Sequence, residues 1–329
     1  MMNNSMNNGA ANNNNSNNGG FIIATGTMTV KTFADMVKEA LSVHLEGCTI
    51  ELRDVTKNNG CTYHGLSIRE HGSNIAQNIY LDKFFGDYRD GRSFADIVRV
   101  VVEVYKANRV PSCFDTGRIT DYERAKDRIC FKLVNTDRNS VFLSDVPCIP
   151  FCDLSVIFYV FLDNGASATV HNGLLDTWGI DIDTLLEKAK YNTPRLLPVS
   201  VQSMESALFG LFNDEPGDFD FLDTGLDDIR PAREGFNMYI ATNKLKMNGA
   251  AVFLYDFLLS GFADRIGADF YIIPSSVHEL IFLPELPSMD KEGLREMVLS
   301  VNSEVVKPED ILSDSIYHYS RATGLVEIA

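Results

Sequence analysis

Between two apolar runs, residues 270–273 (FYII) and 280–283 (LIFL), the chain carries PSSVHE, which gathers two hydroxyls, an imidazole and a carboxylate. Ser276 and His278 are the natural pair for nucleophile-and-base chemistry, with a carboxylate to orient the imidazole. Read as a strand, however, the segment puts His278 and Glu279 on opposite faces and Ser276 on the face of His278. Glu279 therefore does not complete a triad by adjacency. The competing reading is a tight turn stiffened by Pro274, with Ser275 and Ser276 bonding local backbone. Thr242 and Asn243 close the apolar run YIATN and precede Asn248-Gly249-Ala250-Ala251. If their strand neighbours PSSVHE they join it in one polar pocket; otherwise they are a strand end before a helix start.

Other chemistries find less support. The six histidines show no HxH or HExxH spacing, and His171, His278 and His318 would have to converge in space to make a zinc-type site, so no metal is expected. The six cysteines contain no CxxC and read as buried thiols of a reducing compartment. Neither GxGxxG nor GxxxxGK[ST] occurs, which argues against a dinucleotide or P-loop enzyme; no cofactor is expected. The densest basic stretch, residues 118–138, is interspersed with acids and reads as a salt-bridged helix face. A net charge of −16 disfavours nucleic acid and anionic membranes as partners. No apolar run reaches spanning length and no secretory signal is visible, so the expected location is the cytoplasm.

The elements that must position these residues indicate an α+β fold of mixed or antiparallel sheets with packed helices. Residues 1–28 form an Asn-rich tail that cannot bury apolar surface. Residues 29–110 read as an α-β-β-α unit. It holds an amphipathic helix over 30–45, a hairpin of strands 49–55 and 61–68 joined by Lys57-Asn58-Asn59-Gly60, an aromatic connector over 79–88, and a helix capped by Ser93. Residues 111–329 read as a larger α+β unit. Within it, 121–132 looks helical, and 153–162 is a buried strand answered by 166–171. Asp181 caps a helix that Pro194 ends, and 204–212 is a short helix. Residues 250–266 form one helix with Leu254, Phe257, Leu258 and Phe262 as its core stripe, and 294–301 form another. Residues 213–233 are a strong composition shift, acidic with interleaved Phe219 and Phe221. They read as a surface loop or as a docking segment presenting Asp218, Asp220 and Asp223.

Taken in order, IYLDKFFGDYRDG, LLDTWGIDIDTLLEKAKYNT, YIATN, GAA and PSSVHE resemble the uncharacterised domain-of-unknown-function family 5688, found in Firmicutes and often beside mobile-element genes, with a distant likeness to domain-of-unknown-function family 1444. That resemblance covers residue 29 to the C-terminus. It implies no activity and no catalytic residues, only an accessory role on mobile DNA. The function expected is therefore a non-enzymatic accessory protein that binds a protein partner, acting on host defence or DNA-processing proteins. The alternative is a hydrolase-like enzyme centred on Ser276 and His278.

Overall fold

The computed structural model describes residues 28–108, 113–162, 165–207, 229, 238–287 and 289–329. The Asn-rich tail up to residue 27 and the acidic segment bearing Asp218, Asp220 and Asp223 lie outside the described residues, as does 208–212 of the helix expected over 204–212, whose first four residues are helical.

The N-terminal part builds its own core. Helix α1 (Val30–His44) buries Phe33, Val37 and Leu41 along one stripe, and Thr29 Oγ1 caps it by accepting the Thr32 N–H at 3.2 Å. Strands β1 (Cys48–Thr56), β2 (Thr62–Glu70) and β3 (Gln77–Tyr80) form an antiparallel sheet in that order. Helix α2 (Asp82–Arg89) follows, and α3 (Phe94–Ala107) turns Ile97, Val98, Val101 and Tyr105 onto Phe33, Leu41, Leu66 and Ile68. Each fully buried Phe, Leu or Val here contributes about 2 kcal/mol. The segment expected to be an aromatic connector is thus β3 plus α2; Phe84, Phe85 and Tyr88 pack on the core from a helix rather than a loop. The β1–β2 turn takes left-handed backbone at Asn59 (φ 59°) and Gly60 (φ 69°), the conformation that Asn-Gly tolerates.

A central antiparallel sheet follows, β4 (Ile129–Asn135), β6 (Leu154–Phe161) and β5 (Cys148–Phe151), with β7 (Ser167–Thr169) also paired to β6. Residues 121–132 are not one helix. Two single turns, Tyr122–Ala125 and Lys126–Arg128, lead into β4. Charged residues there suggest helix, but the apolar, β-branched sequence ICFKLV is buried on both faces and extends as strand. Helix α4 (Ile182–Leu196) packs on β4 and continues for two residues beyond Pro194 instead of ending at it.

The third sheet has the order β13-β12-β10-β11-β9-β8. Its strands are β8 (Val199–Ser203), β9 (Tyr239–Asn243), β10 (Phe270–Ser276), β11 (Glu279–Pro284), β12 (Tyr317–Ser320) and β13 (Leu325–Ile328). PSSVHE therefore lies at one end of the two central strands of this sheet. One core joins the two sheets, with Phe131 and Phe158 from the central sheet and Phe270, Phe282 and Tyr317 from the larger one. The segment expected as one helix over 250–266 is broken. A 3₁₀ stretch, Gly249–Leu254, is separated from helix α5 (Leu258–Ile266) by a kink at Phe257, whose φ is +64°. Phe257 is consequently 86% exposed and leaves the core stripe, while Leu258 and Phe262 stay buried. Helix α6 (Lys291–Glu304) packs on β10 from the other side. Among the described residues no disulfide forms. Cys130 alone of the six thiols is buried, and Cys113 and Cys152 are exposed, contrary to the expectation of mostly buried thiols.

Candidate functional site

PSSVHE forms a hairpin turn. Strand β10 ends at Ser276, Val277 and His278 make the turn, and β11 begins at Glu279, with a bulge between Pro274 and Ser276. The turn breaks the face alternation expected of a continuous strand. Pro274 sits in β10 opposite Leu280, past the last residue that β12 pairs, so its missing N–H costs that ladder nothing. Ser276 Oγ accepts the His278 backbone N–H at 3.0 Å, and Ser275 Oγ donates to Glu279 Oε1 at 3.2 Å.

Strands β9 and β11 are neighbours, and this brings Thr242 to the turn: its hydroxyl donates to the His278 carbonyl at 2.7 Å. Asn243 is not brought there. Its side chain instead closes its own loop, accepting from the Leu245 and Met247 N–H groups and donating to the Met247 carbonyl at 2.8 Å. The His278 ring is engaged at both nitrogens. Nδ1 accepts the Asn248 N–H at 3.3 Å, and Nε2 faces Asp310 Oδ1 at 3.5 Å. The backbone is knitted in as well, with Val277 N–H donating to the Asp310 carbonyl at 2.8 Å and Ala250 N–H to the Val277 carbonyl at 3.2 Å. Gly249 fits into the middle of this arrangement. A Cβ there would lie 2.0 Å from Thr242 Oγ1 and 2.1 Å from the His278 carbonyl oxygen. These groups stabilise one another and the chain path. The acceptor nitrogen of the imidazole holds a backbone N–H, and the ring makes no hydrogen bond to the Ser276 hydroxyl.

A second polar region lies where the N-terminal hairpin meets the central sheet. Asn59 Nδ2 donates to the Pro308 and Ile311 carbonyls at 2.8 and 2.7 Å, Asn58 Nδ2 to the Glu309 carbonyl at 2.8 Å, and the Asn59 N–H to Asn139 Oδ1 at 2.8 Å. Beside this junction opens a cleft of about 450 Å³. The hairpin loop, the 139–142 turn and the outer face of the central sheet surround it. Its charged lining residues are Lys57, Lys132 and Arg138, and its apolar ones include Val134, Phe142 and Ile157.

Alternation along β4 explains Lys132. Ile129, Phe131 and Leu133 face the shared core, so Cys130, Lys132 and Val134 turn outward. Lys132 is half-buried, opposite Ile157, with its ammonium 5.9 Å from the centre of the Tyr159 ring. Among the described residues it has neither an ion pair nor a hydrogen bond, and desolvation alone holds its pKa below the usual ammonium range. Burial pushes the neighbouring Cys130 thiol up to about 12, which keeps it protonated, and also raises the Tyr159 hydroxyl. Arg138 keeps its guanidinium on Asp314 at 2.5 Å, and Lys57 lies over the Tyr80 ring at 4.3 Å. Asn58, also in the lining, has its buried Oδ1 without a hydrogen-bond partner among the described residues.

The model of the family of unknown function DUF5688 matches residues 30–321. The chain belongs to DUF5688. No curated protein and no solved structure matches it. In this DUF5688 chain, His171, His278 and His318 are held apart, each beside its own carboxylate: Asp145, Asp310 and Glu285. One mixed group has donor atoms within 4.8 Å of one another, namely Asp269, Glu285 and His318. The pleat places all three on one face with Tyr271. A divalent ion could be held there, but the group is balanced as it stands. Glu285 accepts from Tyr271 at 2.9 Å and faces His318 Nε2 at 3.0 Å, with Lys291 3.9 Å away. Desolvation would raise the Glu285 carboxyl, yet the bonds from Tyr271 and His318 outweigh it and hold the pKa low. Among the described helices, none is long and apolar enough to cross a membrane.

Sequence reasoning missed Asp310 and the cleft. Lys132 and Arg138 were visible only as members of a mixed-charge stretch. The available signal was the lone charge in ICFKLVN, a lysine at the alternating position of an otherwise apolar strand.

Proposed function

We propose that the chain is a binding protein for a small, partly apolar organic anion, held in the cleft between the hairpin loop and the central sheet. The observation that carries this reading is the charge of the lining. In a chain of net charge −16, the charged residues lining the cleft are two lysines and an arginine, with no acid among the described lining residues. A concave site with apolar walls and a few convergent polar groups is the usual form of a small-molecule site. The apolar residues would take the body of the ligand, Lys57 and Lys132 its charge, and Asn58 Oδ1 a donor group. The partner-docking role expected of Asp218, Asp220 and Asp223 rests on residues outside those described; the described residues favour a small molecule.

Isothermal titration with benzoate, and with benzamide as its uncharged counterpart, tests the proposal. Benzoate binds at one site, loses affinity with added salt, and weakens about tenfold in Lys57→Gln, equivalent to about 1.4 kcal/mol. Equal binding of benzamide, or no saturable benzoate binding at millimolar concentration, overturns it.

A further inference from the structure

We infer that Lys132 is a nucleophilic amine that condenses with the carbonyl carbon of an anionic aldehyde or ketone bound in the junction cleft. This rests on the binding reading above and names the ligand class more closely.

Three observations converge. Lys132 stands on a central strand paired to β6 along its whole length, so the point from which its stem leaves the backbone is fixed. It opens onto a cleft with room for a small aromatic acid. Among the described residues it also has no ion-pair partner. The titratable and charged groups beside it there are Cys130 and Tyr159 along the sheet, Cys148 across Ile157, Lys57 on the hairpin loop and Arg138, itself paired with Asp314, on the following turn. No carboxylate lines the cleft among the described residues. A lysine paired with an acid stays protonated and inert, whereas desolvation in an unpaired site favours the neutral amine and its lone pair, one of the ways amine nucleophiles are activated. Desolvation alone lowers the pKa of Lys132.

The reaction balances without any further reagent. The Nζ lone pair attacks the carbonyl carbon and forms the C–N bond. The carbonyl oxygen leaves as water with the two protons of the amine, and a C=N bond remains. Lys57 would hold the ligand's carboxylate meanwhile.

The test uses the full chain and 4-formylbenzoate as probe, trapping the imine with borohydride and mapping the label by mass spectrometry. At pH 7 Lys132 is labelled at least tenfold faster than the exposed Lys106. Its rate-against-pH profile has its midpoint below the ordinary lysine range. Excess benzoate slows labelling at Lys132 and leaves Lys106 unchanged. Labelling of Lys132 no faster than Lys106 overturns the inference. If benzoate still binds in that case, the anion reading stands and only the imine fails; if benzoate does not bind either, both fail. Lys132→Met removes the fast label, and because the measurement on the unmodified chain decides the question, a failure of that variant to fold does not shield the proposal.

Discussion

At the Val277-His278 turn, Thr242, Ser276, Asn248 and His278 hold one another and the nearby backbone through bonds of 2.7 to 3.3 Å. At the junction cleft, Lys132 has an aromatic ring 5.9 Å away and neither an ion pair nor a hydrogen bond among the described residues. Both regions are polar places in a mostly apolar frame, yet they differ in what is left over for a ligand. In the turn the donors and acceptors satisfy each other, which is how buried polar groups ordinarily persist. In the cleft a charged group is desolvated with no ion pair or hydrogen bond among the described residues, an arrangement that costs stability and that concentrates at functional sites. Clustering of reactive residue types along the chain is thus a poor guide to function. What matters is whether the fold has already used their hydrogen-bonding capacity.

The largest effect expected is at the turn. Gly249→Ala places a Cβ 2.0 Å from Thr242 Oγ1 and 2.1 Å from a backbone carbonyl that cannot rotate away. The turn must shift, and the cost is about 3 kcal/mol in urea unfolding. A loss under about 1 kcal/mol would mean that the turn is loose and not the locked element described here. Such looseness would restore Ser276 and His278 as candidates for chemistry.

The α+β architecture was largely legible in the sequence because its strongest elements are locally consistent. Phe33, Val37 and Leu41 repeat at helical spacing, Asn59-Gly60 supplies a left-handed turn, and residues 154–161 are apolar but for Ser155. Elements whose local signal opposes their environment were not legible. Strand β4 follows a run of alternating charges that resembles a helix, and the kink at Phe257 depends on a positive φ that no aromatic residue favours. At the turn, residue types were visible and so was the meeting with Thr242, conditional on strand order. Asp310 was not, because it arrives from a distant 3₁₀ turn that the hairpin Asn58-Asn59 also grips. The cleft was invisible for the same reason: Lys57 lies on the hairpin loop of the N-terminal sheet and Lys132 in the central sheet, and only tertiary packing shows that among the described residues no acid lines the cleft with them.

A smaller effect separates the two regions by chemistry alone. Thr242→Val keeps the side-chain shape and deletes the donor to the His278 carbonyl. It destabilises by about 2 kcal/mol, because a buried acceptor loses its partner. Thr242→Ser recovers most of that loss. Neither substitution changes benzoate affinity by more than about twofold, well inside the roughly tenfold step that 1.4 kcal/mol represents. A Thr242→Val variant as stable as the unmodified protein, with the loss appearing in Thr242→Ser instead, would show that the methyl packing of Thr242, rather than its hydroxyl, holds the turn.

The smallest effect has the opposite sign. Lys132→Met exchanges a desolvated ammonium for an apolar chain of similar length, so it stabilises the protein at pH 7 by about 1 kcal/mol. The pH dependence identifies the cause. Desolvation lowers the folded-state pKa of Lys132, while the unfolded chain titrates near 10.4. Between those two values the unfolded state binds more protons, so the stability of the unmodified protein rises with pH across that window. Below the lowered folded-state pKa the penalty is fully present; above about 10.4 it has vanished. The advantage of Lys132→Met therefore shrinks as pH rises toward 10.4, whereas the loss in Thr242→Val, which involves no titrating group, stays constant over the same range. Urea midpoints for both variants from pH 7 to 10 measure this directly. A Lys132→Met advantage that does not change with pH would mean that the ammonium is adequately solvated, and the contrast between a satisfied turn and an uncompensated cleft would then collapse from the cleft side.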